Sequence, residues 1–95
     1  MEIYKPKVIL YTSSNIKNCP WCSKAKRWLQ ANQLEWTEID VHTDSVAKES
    51  LLAVTKKATY PQFKVAGYYV IGFKEAILNK LLLTLRKEHK NEQNS

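Results

Sequence analysis

Val8-Ile9-Leu10-Tyr11-Thr12, Ser13-Ser14-Asn15-Ile16-Lys17-Asn18 and Cys19-Pro20-Trp21-Cys22 follow one another without interruption, and their order decides the fold. The first five, with Lys7 before them, form a short apolar run rich in β-formers, the pattern of a strand covered on both faces within a parallel sheet. The polar stretch from Ser13 to Asn18 then marks a loop. From Pro20 onward Cys22, Ala25 and Leu29 recur at helical spacing with Trp28 beside them; proline is accepted in a first turn, and Asn32 can end the segment. The spacing predicts a helix from Pro20 to Ala31 that carries both cysteines of the chain at its start.

Working outward, Glu35-Trp36-Thr37-Glu38-Ile39-Asp40-Val41 alternates strictly and reads as a second strand, followed by a loop through His42 and Thr43. Asp44 or Ser45 can cap a second helix ending near Lys57, with an inner face of Ala47, Leu51, Val54 and Ala58. Gln62 to Val65 and Tyr68 to Ile71 are short strands, and the intervening Ala66-Gly67 is short enough to require an antiparallel hairpin. A long helix completes the chain. Its buried stripe would be Phe73 or Ile77, Leu78, Leu81, Leu82 and Leu85, with Lys74, Asn79, Lys80, Arg86 and Lys87 in water. The resulting order is βαβαββα, an α/β architecture with a right-handed crossover between the first two strands and helices on each face of the sheet. The whole of 1–95 reads as one domain with its core over about 7–88, and the polar run from Lys90 to Ser95 reads as a frayed tail.

Composition narrows the function classes. At 95 residues and 11.0 kDa there is room for one small domain, and folding hides about 60–65% of the surface of the unfolded chain. Two cysteines are too few for a disulfide-stapled secreted scaffold. No apolar run approaches the ~18 residues of a membrane span, and Met1-Glu2-Ile3-Tyr4-Lys5-Pro6 lacks the features of a secretory signal, so a cytoplasmic, reduced protein without membrane contact is expected. The net charge of +6 is unevenly spread. Lys17 to Leu34 contains Lys17, Lys24, Lys26 and Arg27 and no acid, and Ser50 to Lys74 contains Lys56, Lys57, Lys64 and Lys74 and no acid. Such segments attract anions or simply form a solvated lysine-rich surface. No nucleic-acid motif accompanies them, so nucleic acid is not the expected partner.

The chemistry concentrates at Cys19-Pro20-Trp21-Cys22. Backbone N–H groups of a first helical turn lack intrahelical partners and carry the positive end of the helix dipole, so this position favours a thiolate at Cys19. Lys17 and the Lys24, Lys26, Arg27 cluster can add to that field. A thiolate attacks a disulfide and becomes part of a mixed disulfide. Cys22, one turn later and inward, is placed to attack that intermediate, release the reduced substrate and leave a Cys19–Cys22 disulfide. Pro20 restrains the turn, and Trp21 offers an aromatic face to a substrate. The same spacing is half of a structural zinc site, but there is no second cysteine pair, and His42 and His89 are distant in sequence, so no metal is expected. A purely structural disulfide would be out of place in a reducing compartment.

Across about Val8 to Leu85 the chain resembles the glutaredoxin family of the thioredoxin superfamily. Three motifs carry the resemblance. Val8 to Thr12 followed by Cys19-Pro20-Trp21-Cys22-Ser23-Lys24-Ala25-Lys26 resembles the family's first strand, active-site loop and first helix. Thr59-Tyr60-Pro61-Gln62-Phe63 resembles the segment holding its cis-proline, and Ile71-Gly72-Phe73-Lys74 resembles the glycine turn before its last helix. The resemblance implies a thioredoxin fold with a four-stranded mixed sheet flanked by three helices, and a dithiol oxidoreductase with Cys19 as nucleophile and Cys22 as resolving thiol. It also implies a cis Tyr60–Pro61 bond near the sulfurs, with Thr59, Tyr60 and Pro61 presenting the substrate and Lys17, Gly72, Phe73 and Lys74 placed for glutathione, a co-substrate rather than a tightly bound cofactor. The turn Gly72-Phe73-Lys74-Glu75 has one glycine where glutathione-binding members usually have two, and its pattern is closer to NrdH-type redoxins. Those take electrons from thioredoxin reductase and deliver them to ribonucleotide reductase, although they often lack the Pro-aromatic pair kept here. The loop from Ser13 to Asn18 is also longer than the usual family loop. A further alternative is a module in which two copies hold an iron-sulfur cluster with glutathione; the two-cysteine motif argues against that, and a monomer is expected.

Overall fold

The computed structural model describes residues 4–17 and 19–93. Seven elements run in the order β1 (Val8–Thr12), α1 (Pro20–Ala31), β2 (Trp36–Asp40), α2 (Ser45–Thr55), β3 (Gln62–Val65), β4 (Tyr68–Ile71) and α3 (Glu75–Gln93). The four strands form one sheet in the order β2-β1-β3-β4. β1 runs parallel to β2, pairing Val8 with Trp36 and Thr12 with Asp40, and antiparallel to β3, pairing Val8 with Val65 and Tyr11 with Gln62. β3 and β4 form the expected hairpin, with Ala66 at φ 49° and Gly67 at φ 89°, the doubly positive geometry that a two-residue turn between twisted strands demands.

Alternation along β1 distributes the core between the two faces of the sheet. Val8 and Leu10 point into the larger cluster, which they share with Ala25, Trp28 and Leu29 of α1, Phe63 and Val65 of β3, and Leu78, Leu82 and Leu85 of α3. Ile9 and Tyr11 belong to the smaller cluster on the other face, built around Val41 and Leu51 of α2. Two helices therefore cover one face and a single helix covers the other. Trp28 joins the larger layer to α3: its ring meets Phe63 edge-on at 6.2 Å, and its Nε1–H donates to Asn79 Oδ1 at 2.7 Å.

The helices depart from the expected faces in several places. In α2 the row that meets the sheet is Ala47, Leu51 and Thr55, spaced by fours, and Val54 is 56% exposed. The helix ends at Thr55, where Lys56 takes a left-handed cap at φ 59°, so Ala58 lies outside it and in solvent. Its N-cap is Asp44, whose carboxylate accepts from the Ala47 N–H at 3.0 Å. In α3 the buried stripe narrows to Leu78, Leu82 and Leu85 with Leu81 half-buried; Ile77 is 50% exposed because it lies about 100° around the helix from Leu78. Phe73 packs on the core from just before the helix. Arg86 leaves the solvent face and donates its Nε–H to the Tyr4 carbonyl at 3.1 Å, while His89 stacks on the Tyr4 ring at 4.2 Å. Asn79, expected in water, accepts the Trp28 bond. α3 continues to Gln93, so residues 90–93 are helical rather than a frayed tail, and 94–95 lie outside the described residues. Among the described residues no helix is long and apolar enough to cross a membrane.

Candidate active site

The register of the sheet brings three distant segments to one end. The chain leaves β1 after Thr12 and enters the cysteine loop there. Tyr11 pairs with Gln62, so Pro61 and Tyr60 lie beyond that same end, and Gln62 pairs with Ile71, so Gly72 does too. The Gly72 N–H donates to the Pro61 carbonyl at 2.8 Å, which joins two of the segments directly. Gly72 sits at φ 81°, a left-handed conformation that glycine adopts without strain. The Tyr60–Pro61 peptide bond is cis.

Cys19 is the N-cap of α1, with Pro20 in the first helical position. Its sulfur accepts the Cys22 backbone N–H at 3.3 Å. In most helices a serine, threonine or aspartate oxygen takes this role; here a sulfur does, so one of the unpaired first-turn donors is aimed at the atom that would carry charge as a thiolate. Cys22 lies in a different environment. Burial first, then a side-chain hydrogen bond with Cys19 and the charge of Cys19, push its thiol up to about 12, with Lys26 opposing and Glu38 reinforcing. Both cysteines are free and partly buried. The loop therefore holds two unequal sulfurs, one capped by a backbone donor and one kept as a thiol.

Trp21, between them, is 52% exposed, and the Lys24 ammonium lies 4.4 Å from its ring centroid. Phe73 is half-buried and lines the same groove as Trp21. Pro61 is buried, Tyr60 half-buried, and Thr59 exposed. The Tyr60 ring joins the smaller core, and burial raises its hydroxyl above the usual phenol range. Lys17 is exposed on the loop and Lys74 is exposed just before α3; among the described residues neither forms a salt bridge. Asn18, expected within the loop, lies outside the described residues.

Several supporting residues had no assigned role in the sequence. Gln62 is fully buried, and its side-chain amide donates to the carbonyls of Lys57 at 2.8 Å and Thr59 at 2.9 Å, tying down the loop that leads to Tyr60. A glutamine directly after Tyr60-Pro61, at an inward position of a strand, is the signal that could have revealed it. Asp40 closes the base of the cysteine loop by accepting from Ser14 N–H at 2.9 Å and His42 N–H at 3.0 Å. The bonds to Ser14, then His42, hold its carboxyl below the usual carboxylate range. Behind Cys22, Glu38 accepts from Thr12 Oγ1 at 3.1 Å and pairs with the Lys26 ammonium at 2.9 Å. Both are cross-element contacts that no local spacing encodes. Among the described residues there is no cluster of three or more histidine, cysteine, aspartate or glutamate side chains able to hold a metal.

Known proteins share this fold. The glutaredoxin family model matches residues 8–70. A glutaredoxin-like protein of 8.6 kDa from a rubredoxin operon of Clostridium pasteurianum is 28% identical over 64 residues, covering 67% of this chain and 85% of its own. The crystal structure of a thioredoxin-like protein superposes with a TM-score of 0.68 at 30% identity, covering 78% of this chain and 97% of that one. The glutaredoxin-like NrdH-redoxin of Escherichia coli shares the fold, with a TM-score of 0.67 at 23% identity over 79% of this chain and 93% of its own. With the family model matched over residues 8–70, the chain belongs to the glutaredoxin family of thioredoxin-fold thiol oxidoreductases.

Proposed function

We propose that the protein reduces disulfides of proteins, or mixed disulfides with glutathione, through the Cys19-Pro20-Trp21-Cys22 dithiol. The observation that carries this reading is the inequality of the two sulfurs, with Cys19 capping α1 and Cys22 held as a thiol. The Cys19 thiolate attacks one sulfur of the substrate disulfide, the S–S bond breaks, and the other sulfur leaves as a thiolate that takes a proton from solvent. Cys22 then loses its proton, attacks Cys19 Sγ and expels the second substrate thiol. Two electrons pass to the substrate, and the protein is left with a Cys19–Cys22 disulfide. Pro20 and Trp21 shape the loop, and Thr59, Tyr60 and Pro61 present an extended substrate. Lys17, Gly72, Phe73 and Lys74 are assigned to glutathione, which serves as co-substrate in re-reduction. This chemistry suits the reducing cytoplasm.

A second donor is favoured by one observation, the single-glycine turn Gly72-Phe73-Lys74-Glu75. In that reading thioredoxin reductase reduces the protein, which serves ribonucleotide reductase or a similar disulfide protein. The oxidised protein is mixed with NADPH and either glutathione plus glutathione reductase or thioredoxin reductase, and the mixture that consumes NADPH names the donor. Cys19→Ser is expected to abolish disulfide reduction; near-wild-type activity in that variant would falsify the reading.

A further inference from the structure

A groove of about 650 Å³ opens between α1 and the start of α3 and reaches the redox loop at Trp21. Trp28 and Phe73 contribute its apolar lining, Trp21 stands at the end nearest the sulfurs, and Lys24 and Arg27 line it from α1. Glu75 lines it from the first turn of α3. Lys24 and Arg27 are exposed, and among the described residues neither forms a salt bridge; the one ion pair is Lys26–Glu38. Residues 17–34 contain no acid at all. The α1 bank of the groove is therefore positive and uncompensated, and it is continuous with the redox loop through Trp21.

Dimensions indicate what fits. From Trp21 to Ala31 the helix rises ~15 Å, the span of about four to five residues of extended chain. Lys24 and Arg27 lie ~8 Å and ~12 Å along the axis from Cys19, the sulfur that bonds the substrate, the reach of about two to four extended residues. We propose that this groove receives the polypeptide segment flanking the substrate's disulfide and selects segments carrying carboxylates two to four residues from the reacting cysteine. The proposal rests on the oxidoreductase reading above and narrows its substrate to acidic polypeptides. The aromatic and apolar lining contacts the segment's neutral side chains, while Lys24 and Arg27 meet its carboxylates and speed encounter. Glu75 opposes them from the far bank and limits the preference.

The test uses fully reduced protein in single turnover, so that no electron donor is needed. Its substrates are two synthetic peptide disulfides, identical except for glutamates or lysines at the second to fourth positions from the cysteine, and the small neutral bis(2-hydroxyethyl) disulfide. The glutamate peptide is expected to react about tenfold faster than the lysine peptide at low ionic strength, with most of the difference lost near 0.5 M salt. Arg27→Glu should erase or invert that preference, read as the ratio of the two peptide rates so that any change in Cys19 reactivity common to all substrates cancels, and Glu75→Gln should widen it. Equal rates for the two peptides, or a preference that Arg27→Glu and Lys24→Gln leave intact, would overturn the proposal. A protein that reduces bis(2-hydroxyethyl) disulfide yet ignores peptide charge refutes the groove alone. One that reduces none of the three refutes the oxidoreductase reading and the groove with it.

Discussion

Cys19 and Cys22 are separated by two residues, yet the backbone treats them oppositely. The Cys22 N–H is donated to the Cys19 sulfur, while burial and the presence of Cys19 oppose charge on Cys22. The side-chain hydrogen bond with Cys19 and the charge of Cys19, which along with burial raise the Cys22 thiol, are lost once Cys19 is locked in a mixed disulfide, because that sulfur then carries no charge. Cys22 should therefore ionise more readily in the mixed disulfide than in the reduced protein, where its thiol stands at about 12. Burial remains, so the resolving step should still accelerate with pH, by up to about tenfold per unit while the thiol is mostly protonated. Rapid mixing of a preformed Cys19 mixed disulfide across about pH 7–9 measures this, and a flat profile would contradict it. Cys22→Ser should stop at that intermediate and accumulate it, visible as a mass increase on the protein. The pair itself was legible in the sequence from its position between a strand and a helix. The Thr12–Glu38–Lys26 network behind it was not, because it joins β1, β2 and α1 through side chains whose meeting depends on strand register.

Caps and turns decide where the elements begin and end. Asp44 caps α2, and Asp44→Ala should cost about 1 kcal/mol. Ala66 holds φ 49° without the freedom of glycine, so Ala66→Asn should stabilise the β3–β4 hairpin by roughly 1 kcal/mol, or about 4–8 °C in Tm for a domain of this size. Thermal unfolding followed by circular dichroism checks both, and the two shifts should have opposite signs. The extent of α1 was legible in full because Pro20 and Asn32 punctuate a strong apolar period. The inner face of α2 was not. Its period admits either Val54 or Thr55 beside Leu51, and the choice falls to the tilt of the helix on a thin apolar layer, which only the folded sheet supplies. α3 shows the same limit at Arg86, whose stem and guanidinium find a backbone carbonyl far away in sequence, at Tyr4.

On the scale of the molecule, the two faces of the sheet carry unequal shares of the core. Phe63 sits fully buried in the larger cluster, between the sheet and two helices; Leu51 is equally buried but in a cluster of three buried residues under one helix. Phe63→Ala should cost about 3–5 kcal/mol and Leu51→Ala about 2–3 kcal/mol, since the smaller cluster has fewer walls to hold a cavity open. Against a total stability of roughly 5–14 kcal/mol, the first change removes a large part of it, and urea midpoints at unchanged slope would report both. The mixed sheet was foreseeable from the short hairpin and the single crossover, whereas the division of side chains into two clusters of different size emerged only with the register. That register has one more consequence. β1 and β3 are each bonded on both sides, β1 to β2 and β3, β3 to β1 and β4, so their amides can exchange with solvent deuterium only when the sheet as a whole opens. The slowest clocks in the molecule thus tick in the two central strands, one of which ends where the cysteine loop begins, and their rate, read in the reduced and oxidised states, measures directly how much the proposed Cys19–Cys22 disulfide adds to the free energy of the entire fold.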